Sequence, residues 1–272
     1  MEHRDRAEGW KHAKLSGHEN ERFVAELTEN DINIQKRLLQ CAHINDATVV
    51  QVEFGGLCET DVDCILGGKT KSKTDMWLLL SNGKRLNISI KKDECGQVFL
   101  IGIERFIKGF ELQYHKEIPP LVKRAISLYF GSSVDTLEVI NNFSNANKQL
   151  ETKKHRIVAN TLKAYDKNLY YSLLNWFNDN ISELFDFCFA KGLASNSEDW
   201  AQIVWYKNMV GENQFDTMLY LEDFKSNIPH TAAYGTRNGG STIQLPFGFV
   251  QWHSPRKIRH FGNFCVKRNP NR

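Results

Sequence analysis

The stretch that most constrains this chain is residues 67–92, GGKTKSKTDMWLLLSNGKRLNISIKK. At its centre is Asn82-Gly83, a pair that enters the left-handed conformations of a two-residue β-turn at little cost. Before the pair stands Met76-Trp77-Leu78-Leu79-Leu80, an apolar run of strand length. After it the chain alternates, with Leu86, Ile88 and Ile90 facing one way and Arg85, Asn87, Ser89 and Lys91 the other. This spacing predicts a β-hairpin. Full pairing returns Lys91 to the neighbourhood of Asp75, and alternation puts Ser89 and Lys91 on one side, where Asp75 joins them.

The arrangement resembles the active site of the PD-(D/E)xK nucleases. In that family an aspartate starts one strand and an acidic-x-lysine triplet ends the next. Here Asp75 and Ser89-Ile90-Lys91 take those places. Ser89 departs from the pattern, because it stands where Asp or Glu is the rule and a hydroxyl is a weaker ligand for a hard cation. Some restriction endonucleases of the family carry a neutral polar residue there. Gly67-Gly68 and Lys73-Thr74-Asp75 are similar to the segment leading into the site in type II restriction endonucleases. The specific resemblance spans about residues 17–92, with a looser one near the C-terminus. A plain hairpin also carries Ser and Lys on a solvated face, so the rest of the chain has to weigh between the two readings.

Upstream, Gly17 is expected to open a helix with Glu19, Glu21 and Glu26 near its positive end and Phe23, Val24 and Leu27 as its apolar stripe. Gly17-x-x-x-Glu21-Arg22-Phe23 resembles the family's first helix, in which a glutamate points at the metal site. Glu21 is the choice and Glu19 the alternative; surface charge is the plain reading of both. Residues 30–40 read as a helix and residues 47–54 as the strand before the hairpin. Asp61 and Asp63 read as loop acids. Residues 92–97 are turn-like, residues 98–116 read as a helix despite Gly102 and Gly109, and residues 121–130 form another helix after Pro119-Pro120.

Residues 134–191 have the strongest helical periodicity. Within them Lys153-Lys154-His155-Arg156 reads as a solvated helix face, with phosphate contact as the alternative. Tyr170, Tyr171, Trp176 and Phe177 read as core. Residues 201–206 and 217–221 are strand candidates. The region from Tyr234 onward is glycine-rich, aromatic and basic, and reads as a loop followed by two strands.

Length and composition set bounds. The 272 residues suffice for one large domain or two small ones. The expected division is a core over residues 1–130 and a helical and C-terminal β region over residues 131–272, together one compact unit. Six scattered cysteines without a CxxC pair give neither a zinc signature nor a disulfide framework, which fits free thiols in a reducing cytoplasm. The first residues lack the apolar core of a signal peptide, and no apolar run approaches membrane-spanning length. P-loop, GxGxxG, HExxH and GxSxG patterns are all missing, so the hairpin is the one chemical constellation. The net charge of +3 is mild, but residues 255–272 hold six basic residues and no acidic one.

The fold class expected is α/β (α+β), a central mixed sheet flanked by helices: a restriction-endonuclease-like core with helical and C-terminal β additions. The resemblance implies a type II restriction endonuclease that hydrolyses double-stranded DNA at a short specific sequence and leaves 5′-phosphate ends. One or two Mg²⁺ per site would be held by Asp75, the Ile90 carbonyl and Ser89, directly or through water. Lys91 would hold or help deprotonate the attacking water, and Glu21 would orient water or complete a second metal site. Candidate DNA contacts are Lys73, Lys92 and Gln97 beside the hairpin, and Arg237, Asn238, Gln244, Gln251, Arg256 and Lys257 in the C-terminal third. The protein is expected in the cytoplasm as a homodimer or monomer. Three rivals stand beside this reading: a junction-resolving or repair nuclease on the same core, a non-catalytic DNA-binding protein, and an unrelated α/β protein.

Overall fold

A computed structural model of the chain describes residues 6–55, 61–92, 97–211, 215–253 and 263–267. Two helices lead, α1 (Arg6–Asn30) and α2 (Ile32–Cys41). Gly17 therefore lies inside α1, not at its start, because residues 6–16 include Ala7, Glu8, Lys11, Ala13, Lys14 and Leu15, all good helix formers. Asp31 caps α2, its carboxylate accepting from the Asn33 N–H at 2.8 Å. Then come β1 (Val49–Phe54), β2 (Asp61–Asp63), β3 (Lys69–Lys71), β4 (Met76–Leu80) and β5 (Arg85–Lys91). Asp61 and Asp63 are thus strand residues, not loop acids. β2 pairs antiparallel with β3, and opposite charges across the pair bring Lys69 to 2.7 Å from Asp63 and Lys71 to 2.6 Å from Asp61.

The helix expected over residues 98–116 is split. Residues Gln97–Gly102 form β6, and α3 begins at Ile103 and ends at Tyr114. Val98, Phe99, Leu100 and Ile101 favour strand, and Gly102 makes the extended-to-helical corner (φ −70°, ψ 146°). The chain continues through α4 (Pro120–Tyr129), which starts on a proline at its first turn, then α5 (Thr136–Phe143), α6 (Lys148–Lys154), α7 (Ala159–Tyr165), α8 (Lys167–Asp179) and α9 (Ile181–Asp186). After a π turn at Phe187–Lys191 and a 3-10 turn at Ser197–Asp199 come β7 (Ile203–Lys207), β8 (Asp216–Tyr220) and α10 (Leu221–Ser226). The C-terminal region carries β9 (Ala233–Tyr234), a 3-10 turn at Arg237–Gly239, β10 (Thr242–Leu245), β11 (Gly248–His253) and β12 (Asn263–Lys267). Among the described residues it has four strands, not two: the run through Leu245 and Gly248 folds back on itself, and the short β9 pairs with β10.

The chain packs as two units, Met1–Gly96 with Phe189–Ser226, and Gln97–Cys188 with Asn227–Arg272. The boundary expected at residue 130 falls inside the second. In the first unit a five-stranded sheet runs β1-β4-β5-β7-β8. It is mixed: β5 and β7 are parallel, and the other neighbours are antiparallel. Leu86, Ile88 and Ile90 of β5 join Met76, Leu78, Leu80, Ile203 and Trp205 in a core closed by Val24 of α1 and Ile34, Leu38 and Leu39 of α2. The opposite face of β5 is polar yet also buried, with Asn87 3% and Ser89 1% exposed. Buried polar groups need partners, and the Asn87 N–H and side-chain nitrogen find them in residues 198–202, while its Oδ1 has none among the described residues.

In the second unit the sheet runs β6-β12-β11-β10-β9. Phe106, Phe110, Trp176 and Phe187 form an edge-to-face aromatic core. The 3-10 turn at Arg237–Gly239 is bound to the helices: the Gly240 carbonyl accepts from the Tyr129 hydroxyl at 2.8 Å and the Ala159 N–H at 3.0 Å. Arg156 differs from its sequence reading. α6 ends at Lys154, His155 turns left-handed, and the Arg156 side chain is only 2% exposed, so it belongs to no solvated face. Burial lowers its guanidinium to about 10.

Candidate active site

The hairpin fixes the geometry. β4 and β5 pair with Met76 opposite Ile88 and Leu79 opposite Arg85, and Gly83 takes φ +78° in the turn. One residue before β4, the Asp75 N–H donates to the Ile88 carbonyl at 2.9 Å. That register brings the Asp75 carboxylate over the end of β5. Its Oδ2 accepts from the Ser89 hydroxyl at 3.2 Å, the Ile90 N–H at 2.7 Å and the Lys91 ammonium at 3.2 Å. Lys91 Nζ also donates to the Ile90 carbonyl at 2.9 Å.

Glu21 enters from α1. The exposed Glu19 lies on another face of the helix, whereas Glu21 is half-buried within the electrostatic reach of Asp75 and Lys91. Burial, and then the charge of Asp75, hold the Glu21 carboxyl above the ordinary glutamate range, while Lys91 and His18 pull it down. For Lys91, burial works against the charged form, but Asp75, Glu21 and Tyr206 outweigh it and raise its pKa, so at neutral pH it is an ammonium.

Three neighbours were not read from the sequence. His18, one turn before Glu21, places Nδ1 3.0 Å from Glu21 Oε2. Asn20 is fully buried; its amide donates to the Lys207 carbonyl at 2.8 Å and accepts from the Met209 N–H at 2.6 Å. Tyr206 lies on the parallel strand opposite Lys91. Helix spacing was available for His18, but Asn20 and Tyr206 act through a strand more than a hundred residues away, which no local pattern reveals.

Asp75, Ser89, Ile90, Lys91, Glu21, Lys73 and Lys92 all belong to the first unit. Lys73 is in the approach to β4 and Lys92 directly follows β5; both are half-buried. Gln97, Arg237, Asn238, Gln244 and Gln251 belong to the second. Gln97 opens β6 opposite Lys267, and Gln251 of β11 pairs opposite Thr242 and Cys265. Arg237 and Asn238 are exposed at the tip of their turn, with Asn238 left-handed at φ +51°. Gln244 donates to the Thr242 hydroxyl at 2.8 Å. Arg256 and Lys257 lie outside the described residues.

No family model matches this chain, and no curated protein does. Among solved structures it is similar to the crystal structure of restriction endonuclease MspI in complex with its cognate DNA, with a TM-score of 0.53 and 10% sequence identity, over 97% of this chain and 93% of that one. The fold is restriction-endonuclease-like. An identity of 10% leaves the chemistry to be argued from the residues. No helix among the described residues is long and apolar enough to cross a membrane.

The donor set bears on a metal. Among the described residues no three His, Cys, Asp or Glu side chains cluster as a ligand group. The Asp75 carboxylate and the Ile90 carbonyl nevertheless converge on one positive charge, the Lys91 ammonium. Two oxygens facing a cation suit a hard ion such as Mg²⁺, which keeps several waters and takes one or two carboxylates, with substrate phosphate supplying the rest. The residues present fit it.

Proposed function

We propose that this protein is a Mg²⁺-dependent DNA endonuclease cutting both strands of a short specific sequence, as a type II restriction endonuclease does. One observation carries the reading: Asp75, Ser89, Ile90 and Lys91 meet at the mouth of a single hairpin. The likeness of the fold to a restriction endonuclease bound to DNA supports it.

Asp75 and the Ile90 carbonyl would hold the cation, with Ser89 contributing its hydroxyl directly or through water. When bound, the cation neutralises the scissile phosphate and lowers the pKa of a coordinated water. Lys91, kept protonated by its acidic neighbours, stabilises negative charge on the phosphate and holds the attacking water. Glu21, whose proton affinity is raised, is suited to accept a proton from or orient that water. In-line attack leaves a 5′-phosphate. Sequence reading falls to Arg237, Asn238, Gln244 and Gln251, and phosphate contact to Lys73, Lys92, Arg256 and Lys257. The protein would act in the cytoplasm, as a monomer or homodimer, with one or two Mg²⁺ per site.

Digestion of a plasmid of known sequence in Mg²⁺ tests this directly. Discrete fragments are expected from the wild type and none from Asp75→Ala or Lys91→Ala, each remaining folded. Cleavage of branched DNA alone would favour a junction-resolving enzyme. Duplex binding without cleavage would favour a non-catalytic protein, and full activity in either variant would remove the site assigned here.

A further inference from the structure

The segment from Asn196 to Gln202 is bound to β5 of the hairpin and to the residues that lead into β4. Three consecutive carbonyls of this segment are taken by hairpin side chains. Asn87 Nδ2 donates to the Glu198 carbonyl at 2.6 Å and the Trp200 carbonyl at 2.9 Å. The Asp199 carbonyl between them accepts from the Ser72 hydroxyl at 3.0 Å and the Thr74 hydroxyl at 3.1 Å. Gln202 closes the set with main chain and side chain: its N–H donates to the Asn87 carbonyl at 2.9 Å, and its Oε1 accepts from the Asn87 N–H at 3.0 Å. The segment is itself anchored, with Trp200 Nε1 on the Ala194 carbonyl at 3.0 Å and the Lys191 ammonium 4.2 Å from the Trp200 ring centroid.

The placement of these bonds gives them meaning. Thr74 immediately precedes Asp75, and Asn87 comes two residues before Ser89 on the same face of β5. One short template thus holds both the residue before the carboxylate and the strand that carries its three donors. Thr74 and Asn87 are buried, 8% and 3% exposed, and neither hydrogen-bonds Asp75, Ser89 or Lys91 through its side chain. Displacing a reacting group by about 1 Å costs on the order of a hundredfold in rate. We propose that Thr74 and Asn87 are positioning residues, which use the carbonyls of residues 198–200 to set the spacing of Asp75 from Ser89, Ile90 and Lys91. This rests on the endonuclease reading of the hairpin.

The Thr74 pair tests it. Thr74→Val keeps shape and removes the hydroxyl; Thr74→Ser keeps the hydroxyl. Thr74→Val is expected to stay folded by thermal melting and to bind duplex DNA in Ca²⁺ as the wild type does. Its turnover at saturating DNA in Mg²⁺ should fall at least about tenfold, with KM little changed, while Thr74→Ser recovers most of the rate. Asn87→Asp, whose carboxylate cannot donate to the two carbonyls, is expected to behave like Thr74→Val and provides the test should Thr74→Val not fold. Wild-type turnover in Thr74→Val, or an equal loss in Thr74→Ser, overturns the positioning role while leaving the nuclease reading intact. A wild-type protein that cuts no DNA in Mg²⁺ overturns both.

Discussion

The buried amide of Asn20 donates to the carbonyl of Lys207 at 2.8 Å, across 187 residues of sequence. Asn20 also accepts from the Met209 N–H, so it fixes both the rotation and the height of α1 against the end of β7. That rotation puts Glu21, and not Glu19, within reach of Asp75 and Lys91.

Glu21→Gln should therefore slow cleavage in Mg²⁺, by roughly 10–100-fold, the usual cost of losing a group that orients a metal-bound species. Glu19→Gln should leave the rate as it is. Steady-state cleavage of one fluorescent duplex measures both. Equal losses at the two positions would mean that general helix charge, and not facing, is what matters.

Ser89→Ala should cost less activity than Asp75→Ala, since the group removed is neutral and its hydroxyl is a donor to Asp75 at 3.2 Å. Ser89→Asp places a carboxylate beside Asp75 and should hold or tighten Mg²⁺, read as the metal concentration giving half-maximal cleavage. Weaker metal binding in folded Ser89→Asp would argue against Ser89 facing the cation.

Stability should depend on acid through Asp216. Burial pushes this carboxyl up, but hydrogen bonds from Arg37 at 3.1 Å, Trp205 at 2.9 Å and Lys207 at 3.0 Å prevail and pull it well below the usual carboxylate range. The folded form thus binds the proton more weakly than the unfolded one, whose value is near 3.8. Its stabilising contribution is present above that pH and is lost as the pH falls below it. Asp216→Asn should lower stability at pH 7, on the order of 1–3 kcal/mol, and flatten the decline between about pH 4 and pH 2. Thermal melts across that range decide; an unchanged slope would assign acid sensitivity to other groups.

DNA recognition should separate by residue type. Changing Arg237, Asn238 or Gln244 should cost specific binding on the order of 1–3 kcal/mol per lost bidentate base contact and spare non-specific binding. Neutralising Lys257, Lys267 and Arg268 should weaken all duplexes alike and flatten the salt dependence. Titrations of cognate and scrambled duplexes in Ca²⁺ at several salt concentrations measure both effects. If truncation after Ile228 leaves a folded protein with its site preference intact, recognition lies elsewhere, with residues 92–97 the next segment to change.

The hairpin was legible because its signals are local: Asn82-Gly83 sets the turn and the alternation of residues 85–91 sets the face. β6 was not, because Val98 to Ile101 runs into an amphipathic helix and its partner, β12, comes more than a hundred and fifty residues later. β2 escaped notice for a similar reason: three residues hold too little periodicity, and the pairing rests on ions across to β3. Within the candidate site, side chains at the hairpin ends could be read, whereas Asn20 and Tyr206 depend on β7. The burial of Asn87 was hidden too, since alternation marks a polar face without saying whether water covers it.

The glycines at 239 and 240 have left-handed backbones, and a side-chain carbon on either would collide with Asn147 or Ala159. Together with the doubly bonded Gly240 carbonyl, they commit the shape of the turn to the protein's own helices. The Arg237 and Asn238 side chains are exposed at its tip, while the Arg237 carbonyl accepts from the Gly240 N–H at 3.1 Å and the Ser241 N–H at 3.3 Å and Asn238 holds a left-handed backbone. The Arg237 side chain is therefore open to replacement, Asn238 only by residues that accept a left-handed backbone, and the glycines not at all. The side chain shown at the tip can thus change while the backbone beneath it keeps its course.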